Sequence, residues 1–527
     1  MLTRDQIQHN ANRHRFLKGN SRQTGVFLGP AFFRAIVLWF SLGAGCIFGG
    51  WPELGLTICS IGVMVFFVRW LVTRGHLAVG LLLTAFLLGY LFSWCVGFLG
   101  YCYVLPWLGF NADLLGRHFV VTATLVLLAV CGTCLGGWAA LHLVRPLRNQ
   151  IIFRAFPVQQ LRPQLIVLGV VFLAYQILYF SILGFNTRWE LGNSLTVGSD
   201  AYWVAGFRSP MLAFYALLGV NLKRPLWSVW NLGMGGIMLA CSGLNSLSGG
   251  RESALEPFVA CAIGALFSSI GWRSLAKLLV WALPVCVAIM LVLGMVRESS
   301  AFAGGSVADK LAAIVQVSSQ GSSQSAADQD PYYLFFSRVF EPSAQVVIDE
   351  DTDTDMRLGW INFNRLSLLF VPQFLYPSKV PVQDSWERLV KFHGFAFSEY
   401  TSSPLTFLAD SYERFGIPGV IGFHIAAGMI LVLVGRLVLM VKWQLLGVLL
   451  LVCFAKGALR LYVTAVLEFV SVVFYGFLRD AVVITVLFAV GWYLQGGRPA
   501  KARSVQPIKA KSLGSRNAGS PEVLSKL

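Results

Sequence analysis

Apolar runs close to twenty residues long recur along this chain of 527 residues, and no other feature restricts its fold as tightly. Hydrocarbon offers a backbone no hydrogen-bond partners, so a segment that crosses it must be a helix of roughly 20 apolar residues. Runs that meet this condition cover 31–51, 53–72, 77–98, 117–143, 163–184, 205–221, 226–246, 254–271, 278–295, 416–435, 443–460 and 480–496, about twelve in all. The weakest is 205–221, which holds Arg208 and Pro210. The stretch 461–478 is also apolar and reads as a re-entrant or interfacial segment. With 56% hydrophobic and 13% charged residues and a mean hydropathy of +0.68, this is not the composition of a water-soluble protein. The expected fold class is all-α: a polytopic integral membrane protein with about twelve transmembrane helices and one large loop outside the membrane.

A formal charge of +16 raises nucleic acid as a partner, but the distribution of charge excludes it. With the N-terminus in the cytoplasm, 24 of the 41 Lys and Arg fall in the inside connections and tails, against only Asp5 and Glu522. Basic residues beside spans orient them, so the expected protein is multi-pass with both termini cytoplasmic. The chain then divides into a basic N-terminal tail (1–30), nine spans (31–296), a large outer loop with short helices (297–415), three spans (416–496) and a disordered tail (497–527). The first 25 residues are polar and basic, so no cleavable signal peptide is expected.

The outer loop opens on a Ser/Gln/Ala/Gly-rich stretch, 317–327, that reads as a flexible linker. Its later parts are too aromatic for disorder and too broken by proline and charge for spans, and read as short helices lying on, and partly re-entering, the outer face. Within the acidic run "DEDTDTD" (349–355), the stretch "DTDTD" (351–355) imitates a D-x-D carboxylate metal site, but in a flexible loop it reads as a solvated charge cluster, and no metal is expected. Cys131 and Cys134 form a C-x-x-C inside an apolar run with no second pair, which argues against zinc or redox chemistry. His424, within an apolar helix, reads as a packed or hydrogen-bonded helix residue, whereas His393 in the outer loop is a candidate general base. Phosphate-loop, serine-hydrolase and zincin motifs are absent from the sequence.

Arginines carry the sharper signal. Arg188, Arg208, Arg251, Arg365, Arg414, Arg460 and Arg479 fall at outer span ends or in the loop, where the inside bias of positive charge works against them. Each alone is explained by snorkelling or by pairing with Glu252, Glu413 or Asp480. Together they suit a membrane-borne pyrophosphate, because guanidinium offers a fixed fork of donors matched to phosphate.

Several stretches, in order, resemble the Wzy-type O-antigen and oligosaccharide repeat unit polymerases: "SGGRES" (248–253), "FVPQFLYPSKVP" (370–381), "LADSYERFGIPGVIGF" (408–423) and "FLRDAVV" (477–483). Asp410 stands where that family more usually has Glu, and Glu413-Arg414 replaces a commoner neutral pair. The resemblance implies a metal-independent glycosyltransferase of GT-C-like membrane fold in the bacterial inner membrane, needing no cofactor. It would transfer a growing glycan from undecaprenyl pyrophosphate to the next lipid-linked repeat unit at the periplasmic face, making O-antigen, capsule or exopolysaccharide. Its partners would be the undecaprenyl-pyrophosphate-linked oligosaccharide, the lipid bilayer and a chain-length regulator protein. Arg251, Arg365, Arg414, Arg479 and Arg188 are the expected pyrophosphate-binding residues. Asp410, His393 and Glu252 are the candidates for the base. An O-antigen ligase, which shares the donor, and a transporter of lipid-linked sugar remain the alternatives.

Overall fold

The computed structural model describes residues 30–107, 117–143, 158–183, 208–222, 227–247, 251–268, 342–355, 357–368, 388–389, 405–441 and 443–494, with 312, 340 and 393 singly. The span expected over 278–295, both tails, Arg188, the 317–327 linker and the 370–381 segment lie outside these residues, as do the side chains of Arg251 and Glu252.

Helix is the dominant structure, at 87%, with no strand among the described residues. The helices are α1 (Pro30–Phe48), α2 (Pro52–Thr73), α3 (Leu81–Trp107), α4 (Phe119–Leu143), α5 (Val158–Leu183), α6 (Ser209–Val220), α7 (Val229–Leu247) and α8 (Arg251–Ala265). After them come α9 (Pro342–Thr354), α10 (Phe407–Leu439), α11 (Gln444–Ala458) and α12 (Val466–Leu494). Seven of the described helices are long and apolar enough to cross a membrane. Leu38 on α1, Ile166 and Val170 on α5, and Val482 and Val486 on α12 are exposed, as lipid-facing residues are.

Two expected spans and the 461–478 segment are drawn differently. Helix α6 has only 12 residues, about 18 Å at 1.5 Å per residue, too short to cross a core of about 30 Å upright. Pro210 sits in its first turn, where a missing N–H costs nothing, and all 12 residues are buried, so α6 is a core helix shielded by its neighbours. The 461–478 stretch is not a separate re-entrant segment: Leu461–Val463 makes one tight turn, and from Val466 the chain runs helically into the last span. Finally, α10 begins at Phe407 rather than at 416.

That early start makes a hairpin. Gly416 has φ 63° and ψ −148°, a conformation outside every helical region, and the chain doubles back there. The Phe407 and His424 rings lie 4.8 Å apart, whereas a straight helix would separate residues seventeen apart by roughly 25 Å. Residues 407–415 therefore dive back beside the first turns of the 417–439 helix. Pro418 supplies no N–H to Arg414 across this bend. The Glu413 and Arg414 carbonyls instead accept from the backbone N–H groups of Leu358 and Gly359, at 3.0 and 2.9 Å. Thr406 caps the re-entrant limb, its hydroxyl accepting from the Ala409 N–H at 3.3 Å.

Glycines set the closest helix contact. A Cβ on Gly136 of α4 would lie 2.0 Å from the Ile425 carbonyl oxygen, and one on Gly428 of α10 would lie 2.2 Å from that of Thr133. Bare backbone lets α4 and α10 approach closely, which replaces the missing hydrophobic drive between helices in lipid. The Cys131/Cys134 pair belongs to this stretch. Cys131 is exposed, Cys134 is buried, and both are free thiols.

Candidate functional site

The re-entrant limb of α10 carries a chain of alternating charges. Asp410 Oδ1 accepts from Arg414 Nε at 2.7 Å and Arg388 Nη2 at 2.5 Å, while its Oδ2 accepts from the Val466 backbone N–H at 2.6 Å. Arg388 turns its Nη1 to Glu413 Oε2 at 2.6 Å, and His393 Nε2 donates to Glu413 Oε1 at 3.2 Å. His393 Nδ1 then donates to Glu350 Oε2 at 2.6 Å, so the order is Arg414, Asp410, Arg388, Glu413, His393, Glu350. The side chains of Arg388, Asp410, Glu413 and Arg414 are at most 1% exposed; Glu350, at 46%, reaches solvent. Buried charges persist only when paired and hydrogen-bonded, and each of these is.

His393 is cationic in this arrangement. Both its ring nitrogens face carboxylates, which only accept, so both must carry hydrogen. Burial pulls its pKa down, but the bonds to Glu413 and Glu350 and their charges outweigh that and hold it above the usual value. The base role expected of His393 therefore needs it first to lose a proton that two glutamates retain. Asp410 is likewise withdrawn from that role in this arrangement: three donors engage its carboxylate and none of it is exposed. Arg414, expected to hold pyrophosphate, directs its Nη1 to the Gly359 and Ile361 carbonyls at 3.2 and 2.8 Å and lies over the Phe363 ring, with no exposed surface.

The acidic run corrects the expectation of a solvated flexible cluster. It forms the end of α9, whose Asp349 accepts from the backbone N–H groups of Arg117 and His118, at 2.9 and 3.0 Å. A carboxylate there meets the unpaired N–H groups and the positive end of α4. Gln345 braces it, donating to Asp349 Oδ1 at 2.7 Å and accepting from the Thr122 hydroxyl at 2.9 Å. Asp351 is 1% exposed, whereas Glu350 reaches solvent, as do Asp353 and Asp355 beside His118 and Arg357. Among the described residues no group of three or more His, Cys, Asp or Glu is arranged to hold a metal.

A second network joins α6, α8, α11 and α12. Glu256, 1% exposed, accepts from Arg208 Nε and Nη2 at 3.0 and 2.6 Å and pairs with Lys456. Beside it, the Ser209 hydroxyl donates to Asp480 Oδ1 at 2.5 Å, and Arg479 reaches the same oxygen through Nε and Nη2 at 3.1 and 3.0 Å. Three cations thus meet two anions, and the Arg208 and Arg479 side chains keep 34% and 42% of their surface exposed. Both networks sit at one end of the bundle, where α6, α8, α10 and α12 begin and α11 ends.

Of the sequence candidates, this end therefore holds Asp410, His393, Arg414 and Arg479. Arg365 is half-buried in the Phe363–Leu368 turn against α10. Arg251 and Glu252 open α8, five and four residues before Glu256, which places their backbone beside the second network. His424 is a packed helix residue: its Nδ1 donates to the Val420 carbonyl at 2.6 Å and its Nε2 accepts from the Tyr90 hydroxyl at 2.5 Å. Sequence reasoning missed Glu256, Lys456, Arg388 and Glu350. A signal existed for the first two, since a charge inside an apolar run is expensive and demands a partner. For Arg388 there was none.

These features define an α-helical membrane protein with two ion networks buried at one end of its bundle. No family model matches the sequence, and neither a curated protein nor a solved structure matches it.

Proposed function

We propose that the chain is a polysaccharide polymerase. It transfers a growing glycan from undecaprenyl pyrophosphate to a hydroxyl of the next lipid-linked repeat unit at the periplasmic face. The observation that carries this reading is the half-exposed pair Arg208 and Arg479, gathered with Lys456 around buried Glu256 and half-buried Asp480. As the bond from sugar to pyrophosphate breaks, charge grows on a phosphate oxygen. Guanidinium groups fixed among apolar helices stabilise that charge where water screens it least. Arg251, which opens α8 ahead of Glu256, is a further candidate for that charge. Glu413 and His393, at the same end, are the groups nearest to acid–base duty once their ion chain opens. The lipid-linked phosphate bond supplies the energy, so the reaction needs no nucleotide.

The test is a null strain. Loss of the protein should leave single lipid-linked repeat units on the outer leaflet, flipped but not joined. Units retained on the cytoplasmic leaflet would make the protein a transporter, and long chains on lipid with none on the final acceptor would make it a ligase. Reporter fusions at residues 320 and 400 should read as periplasmic, and those at 150 and 505 as cytoplasmic. A cytoplasmic signal at 320 would place both networks on the wrong side for this reaction.

A further inference from the structure

Among the buried acids of the two networks and of α9, Asp351 stands apart. Asp410, Glu413 and Asp349 each accept two or more side-chain or backbone hydrogens, whereas Asp351 Oδ2 has no hydrogen-bond partner among the described residues although Asp351 is 1% exposed. An ionised carboxylate left so would be costly, so the geometry favours a neutral carboxyl. Its neighbours make that choice matter. Glu350 precedes it on α9, Arg357 follows three residues after the end of α9, and His393 and Glu413 of α10 complete the group. Beyond these stand Asp355, paired with Arg357 at 2.8 Å, and Tyr412, whose ring lies under the Arg357 guanidinium. At the start of α4, Arg117 and His118 face Asp349 and Asp353.

We propose that Asp351 and His393 form a proton-sensitive clasp, which holds Arg388 and His393 against α9 and α10 while protonated and releases them as the pH rises. With Asp351 neutral and His393 charged, Arg357, Arg388, His393 and Arg414 balance Glu350, Asp355, Asp410 and Glu413. Losing the Asp351 proton leaves one negative charge in excess, and losing the His393 proton leaves two. The second loss also removes a donor from Glu413 or Glu350, because a neutral imidazole cannot donate from both nitrogens. Burial first, then the Glu413 charge, raises the Asp351 pKa to about 7, against the pull of His393 and Arg357.

Both groups act in one direction. Folded Asp351 retains a proton that an unfolded chain releases near the ordinary carboxyl value, so its contribution is lost as the pH approaches 7. His393, raised above its usual value, contributes fully below that value and loses its contribution as the pH passes through the folded one. Release would bare Glu413, whose side chain has no exposed surface in the clasped state.

The experiment is hydrogen–deuterium exchange on the purified full-length protein between pH 6 and pH 9, corrected for intrinsic amide rates. Linkage sets the ceiling at about tenfold in opening per pH unit for each proton released. The Leu389 and His393 amides should lose protection on that scale, while peptides from α11 stay constant. Asp351→Asn, neutral at every pH, should displace the opening to higher pH and flatten it, and His393→Gln should leave both amides unprotected throughout. Constant protection of Leu389 and His393 in the wild type, or the same pH course in Asp351→Asn, would overturn the clasp. No glycan is involved in this measurement, so its outcome is independent of whether the chain proves to be a polymerase.

Discussion

The Val466 backbone N–H donates to Asp410 Oδ2 at 2.6 Å, joining the start of the last span to the re-entrant hairpin across 56 residues of chain. With Arg388 and Arg414 on its other oxygen, Asp410 ties together three parts of the chain that share no local sequence signal. Asp410→Asn keeps the volume but leaves two buried guanidiniums short of a charge. Breaking a buried pair costs roughly 3–5 kcal/mol. The expected result is a large drop in membrane abundance and in thermal midpoint. Normal abundance and melting with all activity lost would instead return Asp410 to the role of base.

Arg414 and Arg479 should respond differently to lysine. Arg414→Lys removes the Nε bond to Asp410 and the stacking on Phe363, so it should lower stability and abundance. Arg479→Lys keeps a half-exposed charge beside Asp480 but loses the planar fork. Losing one hydrogen bond to a charged group costs about 1.5–3 kcal/mol, roughly 10- to 150-fold in rate if it acts in the transition state. Polymer ladders in the complemented null strain, read beside membrane abundance, separate the two. Wild-type ladders for Arg479→Lys would remove it from the site.

Glycine substitutions test the hairpin and the α4–α10 contact. At Gly416, with φ 63° and ψ −148°, a side chain is strained by roughly 1–3 kcal/mol. Gly136→Val would drive a side chain into the Ile425 carbonyl and part the two helices. Both variants should melt lower. Gly233→Ala on α7, where a Cβ meets nothing within 4 Å, should be neutral or gain up to about 1 kcal/mol.

The acidic run should divide by position rather than act as one cluster. Asp349→Ala removes the acceptor at the start of α4, a loss of about 0.5–2 kcal/mol for a helix cap. Asp353→Asn breaks a solvent-exposed pair with His118 and should cost at most about 1 kcal/mol. Thermal unfolding of the two variants in parallel measures the difference, and equal shifts would mean that α9 does not cap α4.

The long apolar helices, seven of them among the described residues, were legible in the sequence, because a backbone in hydrocarbon can satisfy its polar groups in few ways and each demands a long apolar run. His424 was legible for the same reason: one imidazole in an apolar helix must find a local carbonyl and one partner. Length and burial of α6 were not, since a run of apolar residues fits a lipid-facing span and a shielded core helix equally well. The acidic run misled because composition cannot tell a solvated carboxylate from one that caps a helix more than 200 residues away in sequence. Which charges meet was decided by tertiary structure alone. Arg388 and Asp410, or Lys456 and Glu256, carry nothing in their own surroundings that names the other. The fold selects the partner, because a charge enclosed among apolar helices is tolerated only beside its opposite, and helix packing determines which opposite is within reach.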